Sequence, residues 1–401
     1  MVNRSKFVMV GPLVPWAEGF AAELARLGYQ KGSARTVMRL TRRLSGWLED
    51  HGLGSSDLST EMVDAFLNDV RADGGSFQPT GKTLAGLLRY LREMGAVPPP
   101  SPPLLTPLEA LVEPYRQYLE SERGLTAGAV ETYVRTAKLF LKEQCDHGEL
   151  DPAGLTAAEV TAFMTRQFGR GSVGSAKLQA TTLRAWLDFA HLVGLTSRPL
   201  AGAVPSAAGW SGGALPKALE PGAAGHLLAS CDRNSGSGLR DHAILTVLLR
   251  LGLRAGEVAA LTLDDLDWRA GELMVHGKGR GEARLPLPAD VGEEIVAYLR
   301  GGRPRRPERA LFLRVHAPLQ GLSAGGVAEV VRAASERARL GSFGPHRLRH
   351  TAATEMLRHG ASLAEVGQVL RHRSAATTAI YAKLDHRSLR ALALPWPGCE
   401  P

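Results

Sequence analysis

Six side chains in the last third of this 401-residue chain have the types and the order needed to attack a phosphodiester: Arg254, Lys278, His346, Arg349, His372 and Tyr381. Five of them are charged or can take a proton, and such groups bind phosphate oxygens well. The sixth is a tyrosine, nine residues after a histidine, and a tyrosine hydroxyl can act as a nucleophile. As a set they predict a site that cuts a DNA backbone without a metal ion.

Two arginines and two histidines of this set are suited to hold the phosphate. The negative charge on the non-bridging oxygens must be met by fixed cations. Arg254 and Arg349 are the predicted clamp, because arginine stays charged and presents a planar fork of donors. His346 and His372 can donate further hydrogen bonds to the same group.

Lys278 and Tyr381 suit the two ends of the breaking bond. Lys278 can give a proton to the leaving sugar oxygen, and Tyr381 supplies the attacking hydroxyl. An unperturbed tyrosine has a pKa of about 10, so nearby cations must favour its phenolate in the transition state.

Local spacing places several of these residues on helices. Arg254 stands at a helix junction, three residues before Glu257, which is near enough to orient it. His346 and Arg349 are three residues apart and share one helix face, to which His350 also belongs. Glu257 and His350 are therefore the predicted orienting residues.

The C-terminal third alternates helical and strand patterns. Apolar residues recur with helical spacing in 226–253, 291–299, 324–340, 346–360 and 363–370. The stretch 267–288 instead has short apolar runs beside Gly-rich turns, which predicts a small antiparallel sheet with Lys278 at a hairpin. The predicted fold class is mainly α, with a small antiparallel β-sheet in the C-terminal catalytic domain and two helical-bundle DNA-binding domains before it.

Two linker-like stretches divide the chain. Residues 98–103 are almost all proline, which predicts a semi-rigid linker, and residues 202–222 are rich in Gly, Ala, Ser and Pro. We therefore expect a helical domain at 1–97, a second at 104–200, a linker at 201–215 and the catalytic domain at 216–401.

The two helical segments resemble each other. Gly28 aligns with Gly124 at an offset of 96 residues, and apolar positions continue the match at offsets of 97 and 99. Both segments have the spacing of amphipathic helices, and Thr156 with Glu159 predicts a capping box in the second. These features predict a duplicated helical unit; the alternative is two unrelated small bundles that can be aligned.

Each helical segment also carries a row of cations at helical spacing. Such a row predicts contacts with a phosphate backbone, while the alternative is an ordinary solvated helix face. The first row is Lys31, Arg35, Arg39, Arg42 and Arg43, and the thinner second row is Arg135, Lys138 and Lys142.

Charge and composition favour a polyanionic partner over a membrane. The formal net charge is +8, and residues 215–401 hold 26 Lys and Arg against 19 Asp and Glu, so the basic excess lies with the candidate site. No run approaches the roughly 20 apolar residues that span a bilayer. Cys145, Cys231 and Cys399 fit neither a disulfide framework nor zinc-ligand spacing, which predicts reduced thiols in a cytoplasmic protein.

The C-terminal third resembles the catalytic domain of the tyrosine recombinases, the phage integrase family. The matching strings are Gly-Leu-Arg-Ala-Gly-Glu (252–257), Gly-Lys-Gly (277–279), His-Arg-Leu-Arg-His-Thr (346–351), Leu-Arg-His (370–372) and Ile-Tyr-Ala (380–382). The gaps match as well, with 23 residues from Arg349 to His372 and nine more to Tyr381. The resemblance spans about 180 residues and is specific as a set of motifs.

This resemblance implies a function and a mechanism. Members of the family are site-specific DNA recombinases that form a 3′-phosphotyrosine, release a 5′-hydroxyl and use no cofactor. In the family the matching positions are two phosphate-binding arginines, a lysine acid, two histidines and the nucleophile. The implied partners are double-stranded DNA and other copies of this chain in a homotetramer on paired DNA sites. An accessory DNA-bending protein is a further candidate partner.

The chain departs from the family pattern in two places. The helical segment before the catalytic domain resembles the family's core-binding domain, but two such segments are present where the simplest members have one. Arg371 stands where the family usually has glycine before the histidine. It is a further candidate DNA contact, or a residue that crowds the site.

Three other functions fit parts of the pattern. A type IB topoisomerase-like nicking and closing enzyme would use the same chemistry, and relaxation of supercoiled DNA without a recombination site would favour it. A catalytically silent DNA-binding regulator would keep the fold, but intact Tyr381, Lys278 and both arginines argue against it. A metal-dependent nuclease would need ligands at metal-binding spacing, and cleavage in a chelator would exclude it.

Overall fold

The structure, a computed structural model, describes residues 9–72, 80–99, 105–144, 151–170, 172–206, 218–277, 281–371 and 378–384. These residues form fifteen α-helices and a three-stranded antiparallel sheet. The predicted fold class, mainly α with a small antiparallel sheet, is confirmed. Within the described ranges, no helix has the length and apolar character needed to cross a bilayer.

Contacts divide the chain into two compact units. One consists of Met1–Pro99 together with Ala214–Pro401, and the other is Pro100–Gly213. The first helical segment thus belongs to the same unit as the C-terminal segment. The division into separate N-terminal helical domains and a catalytic domain stays a prediction.

Four helices form the first helical segment. In α2, Val37, Leu40, Leu44 and Leu48 recur every three or four residues and are all buried, so they make one continuous apolar face. They share a hydrophobic cluster with residues of the other three helices. The helices are α1 Ala17–Arg26, α2 Lys31–Asp50, α3 Thr60–Ala72 and α4 Gly81–Glu93.

The end of α1 contacts the C-terminal segment within the same unit. Arg306 Nη1 donates to the carbonyls of Ala25 (3.3 Å) and Arg26 (3.0 Å), and the backbone NH of Leu319 donates to the carbonyl of Leu27 (2.9 Å). The last carbonyls of a helix have no partner within the helix. The loop that carries Arg306 and Leu319 therefore completes the hydrogen bonding of this helix end.

The described part of the second unit also contains four helices. Tyr115 and Trp186 are fully buried in a hydrophobic cluster of this unit. The capping box predicted before the third of these helices is confirmed: Thr156 Oγ1 accepts from the NH of Glu159 (3.3 Å), and Glu159 Oε2 accepts from the NH of Thr156 (2.7 Å). The duplication of the two helical segments stays a prediction. The helices are α5 Pro107–Ser121, α6 Ala127–Glu143, α7 Ala157–Phe168 and α8 Val173–Leu192.

Seven further helices belong to the C-terminal segment. The first six of them contribute to a hydrophobic cluster in which α10 is central, since nine of its residues are buried. Val366 of the last one belongs to a smaller cluster with Ala353, Leu370 and Tyr381. The seven helices are α9 Ala223–Ala229, α10 Gly236–Leu251, α11 Ala255–Ala260, α12 Ala289–Gly301, α13 Ala324–Arg337, α14 Pro345–Arg358 and α15 Leu363–Val369. A short 3-10 helix, Ala379–Leu384, follows them.

The predicted hairpin is confirmed as part of a small sheet. Strands β1 Leu266–Asp267, β2 Glu272–His276 and β3 Glu282–Pro286 lie in the order β1-β2-β3 and pair antiparallel. Where β2 ends and β3 begins, His276 lies opposite Glu282, and the backbone NH of Gly277 donates to the carbonyl of Gly281 (2.6 Å).

Gly252 permits a close approach of three elements. It ends α10 with a left-handed φ of 58°, a conformation that favours glycine. A Cβ at this position would lie 2.5 Å from the Leu370 side chain and 3.3 Å from that of Ala352. The end of α10 can therefore touch α14 and the end of α15 because Gly252 has no side chain.

Candidate active site

Arg254 precedes α11 and is fixed there by Glu257. The Arg254 backbone NH donates to Glu257 Oε2 (2.8 Å), and Arg254 Nη1 donates to Glu257 Oε1 (2.7 Å). The Glu257 side chain is 6% exposed, whereas that of Arg254 is 47% exposed. A buried carboxylate thus orients a guanidinium whose other side is open to a ligand, which supports the predicted roles of both residues.

Arg349 is buried on α14 and joins three elements. Its Nη1 donates to the carbonyl of Gly252 (2.5 Å), and its Nη2 donates to the carbonyl of Leu370. Burial lowers the pKa of Arg349 to about 10, and the charge of Arg254 acts in the same direction. The guanidinium is still protonated at neutral pH, so it supplies a fixed positive charge and also ties α14 to the ends of α10 and α15.

The two histidines of α14 lie side by side. The rings of His346 and His350 are 4.4 Å apart, centroid to centroid. Desolvation lowers the pKa of His346, and the charges of Arg349 and Arg254 add to the shift. Desolvation likewise lowers the pKa of His350 to about 4, with His346 and Arg349 adding to it. Both imidazoles are therefore mainly neutral at neutral pH.

Tyr381, in the 3-10 helix Ala379–Leu384, is buried beside α14. Its hydroxyl oxygen lies 2.7 Å from His350 Nδ1, within hydrogen-bonding distance, and its side chain is 1% exposed. Burial raises the pKa of Tyr381, while the charge of Arg349 opposes that rise. The candidate nucleophile is therefore held below the surface as a neutral phenol.

Arg371 also binds the carboxylate that orients Arg254. Arg371 Nη2 lies 2.6 Å from Glu257 Oε2, and the Arg371 side chain is 15% exposed. The two arginines thus share one buried carboxylate. Burial disfavours the charged form of Glu257, but the backbone NH of Arg254 and the charge of Arg371 outweigh this effect and lower its pKa.

A cavity of 670 Å³ opens beside this group of side chains. Charged and titratable residues contribute to its wall, as do three glycines that leave backbone exposed. Its lining residues include Arg254, Glu257, His276, Glu282 and Arg371. The cavity therefore lies between α11, the hairpin of β2 and β3, and Arg371.

His276 is a residue of this cavity that motif analysis missed. Its Nε2 lies 2.8 Å from Asp265 Oδ1 and its Nδ1 lies 3.4 Å from Glu282 Oε1. The hydrogen bond to Asp265 and the charges of both carboxylates raise its pKa. The sequence position of His276 could have indicated its place near the site. It directly precedes the Gly-Lys-Gly string at 277–279, and the last residue of a strand lies close to the turn residues that follow it.

Two predicted site residues, Lys278 and His372, lie outside the described residues. The described hairpin ends at Gly277 and resumes at Gly281, and the chain is described up to Arg371 on the other side. The proton-donor role of Lys278 and the phosphate-binding role of His372 stay predictions.

The predicted cation rows are on the surfaces of their helices. All five residues of the first row, on α2, are exposed. In the second row, Arg135 and Lys142 are exposed, whereas Lys138 is partly buried and lies 3.4 Å from Glu109. The first row thus presents a denser array of positive charge than the second.

The structure brings most of the described residues of the predicted catalytic set together. Arg254, Glu257 and Arg371 form one group, and Arg349 with the two histidines and Tyr381 forms a second group on and beside α14. Charge effects link the groups, since Arg254 contributes to the pKa shifts of both Arg349 and His346. This arrangement can bind an anion next to a hydroxyl nucleophile.

Comparison with known sequences places this arrangement among DNA recombinases. The sequence pattern of the phage integrase family matches residues 217–387. The integrase/recombinase y4rA of Sinorhizobium fredii is 40% identical over 395 residues, which cover 97% of this chain and 95% of that protein. The tyrosine recombinase XerD of Listeria monocytogenes is 31% identical over 289 residues, covering 70% of this chain and 96% of that one.

Solved structures share the fold. XerH recombinase in its post-cleavage complex with difH has a TM-score of 0.55 at 18% identity, covering 72% of this chain and 84% of that chain. A lambda integrase tetramer bound to a Holliday junction has a TM-score of 0.54 at 16% identity, covering 81% of this chain and 91% of that chain. At these identities the likeness concerns the fold.

Proposed function

This chain belongs to the phage integrase family of tyrosine recombinases, and we propose that it cuts and rejoins DNA strands at specific sites through Tyr381, without a metal ion. The observation that carries the proposal is the position of Tyr381. Its hydroxyl binds the residue next to Arg349 on α14, so a nucleophile stands beside a fixed positive charge.

The chemical step is a transesterification at phosphorus. The oxygen of Tyr381 forms a bond to phosphorus, the bond from phosphorus to the 5′ oxygen breaks, and the phenol gives its proton to water. Arg254 and Arg349 bind the non-bridging oxygens, whose charge grows in the transition state. Because these cations are arginines, they supply the positive charge that a metal ion supplies in other phosphoryl-transfer sites. The products are a 3′-phosphotyrosine and a 5′-hydroxyl.

The remaining proton transfer is assigned to Lys278. The leaving 5′ oxygen needs a proton, and a lysine at the hairpin between β2 and β3 can donate it. His346 and His372 add hydrogen bonds to the phosphate. Rejoining is the reverse reaction, in which the 5′-hydroxyl of a partner strand attacks the phosphotyrosine, so no external energy source is consumed.

Tyr381 must exchange one hydrogen-bonding partner for another before it reacts. In the state described here its hydroxyl lies against His350 and its side chain is buried. Attack requires the hydroxyl oxygen to reach phosphorus at a near-attack distance of roughly 3 to 3.5 Å. We therefore propose that DNA binding moves the 3-10 helix that carries Tyr381, or opens the surface above it.

The proposed partner is double-stranded DNA bound by several copies of this chain. XerD and y4rA are named as recombinases, and the lambda integrase neighbour is a tetramer on a Holliday junction. By this analogy a homotetramer on paired sites is expected here. The helical domains proposed at 1–97 and 104–200 would hold the duplex, with the exposed row of α2 along its phosphates, and the reaction takes place with cytoplasmic DNA.

A substrate with sulfur in place of the bridging 5′ oxygen tests the proposal. DNA from the flanks of the protein's own gene carries this change at candidate phosphates, and wild type, Tyr381→Phe and Lys278→Ala are each incubated with it in a chelator. A thiolate leaves without an acid, so wild type and Lys278→Ala are expected to form a covalent adduct and Tyr381→Phe is not.

Each alternative predicts a different result in the same experiment. Tight binding with no adduct at any site would favour a DNA-binding regulator. Loss of the adduct in chelator would contradict metal independence. Relaxation of supercoiled DNA that lacks a recombination site would favour a nicking and closing enzyme.

A further inference from the structure

Arg371 has a backbone conformation that arginine rarely adopts. It follows the C-cap of α15, its NH donates to the carbonyl of Gln368 (2.9 Å), and its φ is 54°. Glycine is the residue most favoured at such a position, because a Cβ makes the left-handed region unfavourable. A long charged side chain at this point therefore costs stability that its contacts must offset.

The contact made by Arg371 is a short ion pair in a partly desolvated place. Arg371 Nη2 lies 2.6 Å from Glu257 Oε2, and these two side chains are 15% and 6% exposed. Arg371 Nη1 also donates to the carbonyl of Val369 (3.2 Å). The guanidinium is therefore held in one orientation, toward Glu257.

Glu257 is shared between two arginines, and the net charge of these three side chains determines how much positive charge Arg254 presents to a ligand. Paired with Glu257 alone, Arg254 would be half of a formally neutral pair. With Arg371 as a second partner, the three side chains carry a net charge of +1. The Arg254 guanidinium, with 47% of its side chain exposed, then faces the cavity with positive charge that one carboxylate does not cancel.

We infer that Arg371 is a positioning residue for DNA cleavage: it binds Glu257 and thereby keeps Arg254 oriented and net positive toward the scissile phosphate. The inference rests on the proposed function. It assigns Arg371 a role through Glu257 in place of the direct DNA contact that its position in the sequence suggested.

The matched pair Arg371→Gln and Arg371→Lys isolates the charge, since both keep a side chain in the left-handed region. Arg371→Gln is expected to slow adduct formation on the order of tenfold, the rate equivalent of one hydrogen bond to a charged group. Arg371→Lys should recover most of that loss because it keeps the ion pair. Equal rates for wild type and Arg371→Gln would overturn the inference.

Arg339→Gly is the control for the backbone. Arg339 is the other described non-glycine residue with a left-handed φ, 56°, and it follows α13 on an exposed surface. Arg371→Gly and Arg339→Gly should both keep or raise the melting temperature, because both relieve the same conformation. Only Arg371→Gly should slow cleavage, and a similar slowing in both would overturn the inference.

A substrate with a neutral methylphosphonate at the scissile position tests whether Arg371 acts on cleavage through the positive charge at Arg254. Without the negative charge, the extra positive charge at Arg254 is no longer required. Arg371→Gln should therefore react with this substrate as fast as wild type. The same tenfold slowing on both substrates would mean that Arg371 does not supply net positive charge to Arg254 and would overturn that part of the inference.

The double variant Glu257→Gln/Arg371→Gln decides whether Arg371 acts through Glu257. If it does, Arg371→Gln adds little to the effect of Glu257→Gln. A full tenfold addition would identify Arg371 as a direct phosphate contact and overturn the positioning role. Adduct formation by wild type is scored in the same gel, so failure of the proposed function, with no adduct at all, is distinct from failure of this inference alone.

Discussion

His350 Nδ1 lies 2.7 Å from the hydroxyl oxygen of Tyr381, and the tyrosine side chain is buried. Burial keeps the pKa of Tyr381 above and that of His350 below its ordinary value. Proton transfer from this phenol to this imidazole is therefore strongly unfavourable. The pair stabilises a neutral hydroxyl in a buried place, and the reactive form of Tyr381 requires a different environment.

A double-mutant cycle should detect this coupling. His350→Ala leaves a buried hydroxyl without this partner and is expected to lower the free energy of unfolding by about 1–3 kcal/mol. Tyr381→Phe removes the hydroxyl itself. In the double variant the two losses should be less than additive by at least about 0.5 kcal/mol, as measured by urea unfolding of the full chain.

The control for this cycle pairs Tyr381→Phe with His226→Ala, on α9. His226 is exposed and distant in sequence from Tyr381. These two losses should add. Additive losses for His350→Ala and Tyr381→Phe as well would show that the 2.7 Å contact does not stabilise the fold.

Arg254 and Arg349 should differ in how much they contribute to the stability of the folded chain. Arg254→Ala removes a half-exposed guanidinium, while Glu257 keeps Arg371 as a partner. We expect little change in stability and a cleavage rate lower by about 10²–10³-fold, as for the loss of one oxyanion donor. Single-turnover adduct formation and thermal unfolding measure the two effects.

Arg349→Ala should affect both quantities. It leaves the carbonyls of Gly252 and Leu370 without their donor, and the expected loss of stability is roughly 2–4 kcal/mol. Arg349→Lys serves as the matched variant, since it keeps the charge but cannot donate to both carbonyls in the geometry of a planar fork. Normal stability for Arg349→Ala would contradict the joining role assigned to this residue.

The motifs of the C-terminal segment could be interpreted before the structure because each has a local cause. Arg254 and Glu257 are three residues apart on one helix start, so sequence spacing alone indicated their contact. The hairpin between β2 and β3 was indicated by turn residues between short apolar runs. The capping box of Thr156 and Glu159 is equally local.

The contacts that sequence could not supply are those between elements. Nothing in the spacing of Arg371 and Glu257, 114 residues apart, indicates that they form an ion pair. The binding of Arg349 to two backbone carbonyls depends on the close approach that Gly252 permits. The burial of Tyr381 depends on where the last described helix packs, which is decided by tertiary contacts and not by its own short sequence.

Stability should fall as the pH is lowered from about 6.5 to about 4, through His350. Its pKa is about 4 in the folded chain against 6.5 for the ordinary group, so over this range the unfolded chain binds more protons than the folded one. Its contribution is therefore complete above pH 6.5 and is lost as the pH falls through the folded pKa. Urea unfolding at several pH values, for wild type and His350→Asn, measures the difference in slope.

His276 provides a control in which the pH dependence of stability has the opposite sign. Its pKa is raised by Asp265 and Glu282, so its contribution is present at low pH and is lost as the pH rises through the folded pKa. His276→Gln should therefore lose stability mainly at acidic pH and little at alkaline pH. An unchanged pH slope in His350→Asn would contradict the burial of a neutral imidazole at position 350.

Charge on α2 should set the salt dependence of DNA binding, if the exposed row of that helix contacts phosphates. Lys31, Arg35 and Arg39 are exposed and lie along one face. Changing all three to glutamine should weaken binding to any DNA sequence and reduce the slope of log affinity against log salt by roughly one for each lost contact. Fluorescence anisotropy at several salt concentrations measures both effects.

The matched control changes Arg26, Arg71 and Arg89 to glutamine. These residues are also exposed, on the other three helices of the same segment, so the change in net charge is identical. If only net charge attracts DNA, both triple variants lose the same affinity and show the same slope of log affinity against log salt. A larger loss of slope in the α2 variant places the phosphates along that helix, whereas equal losses would mean that the row is a solvated face.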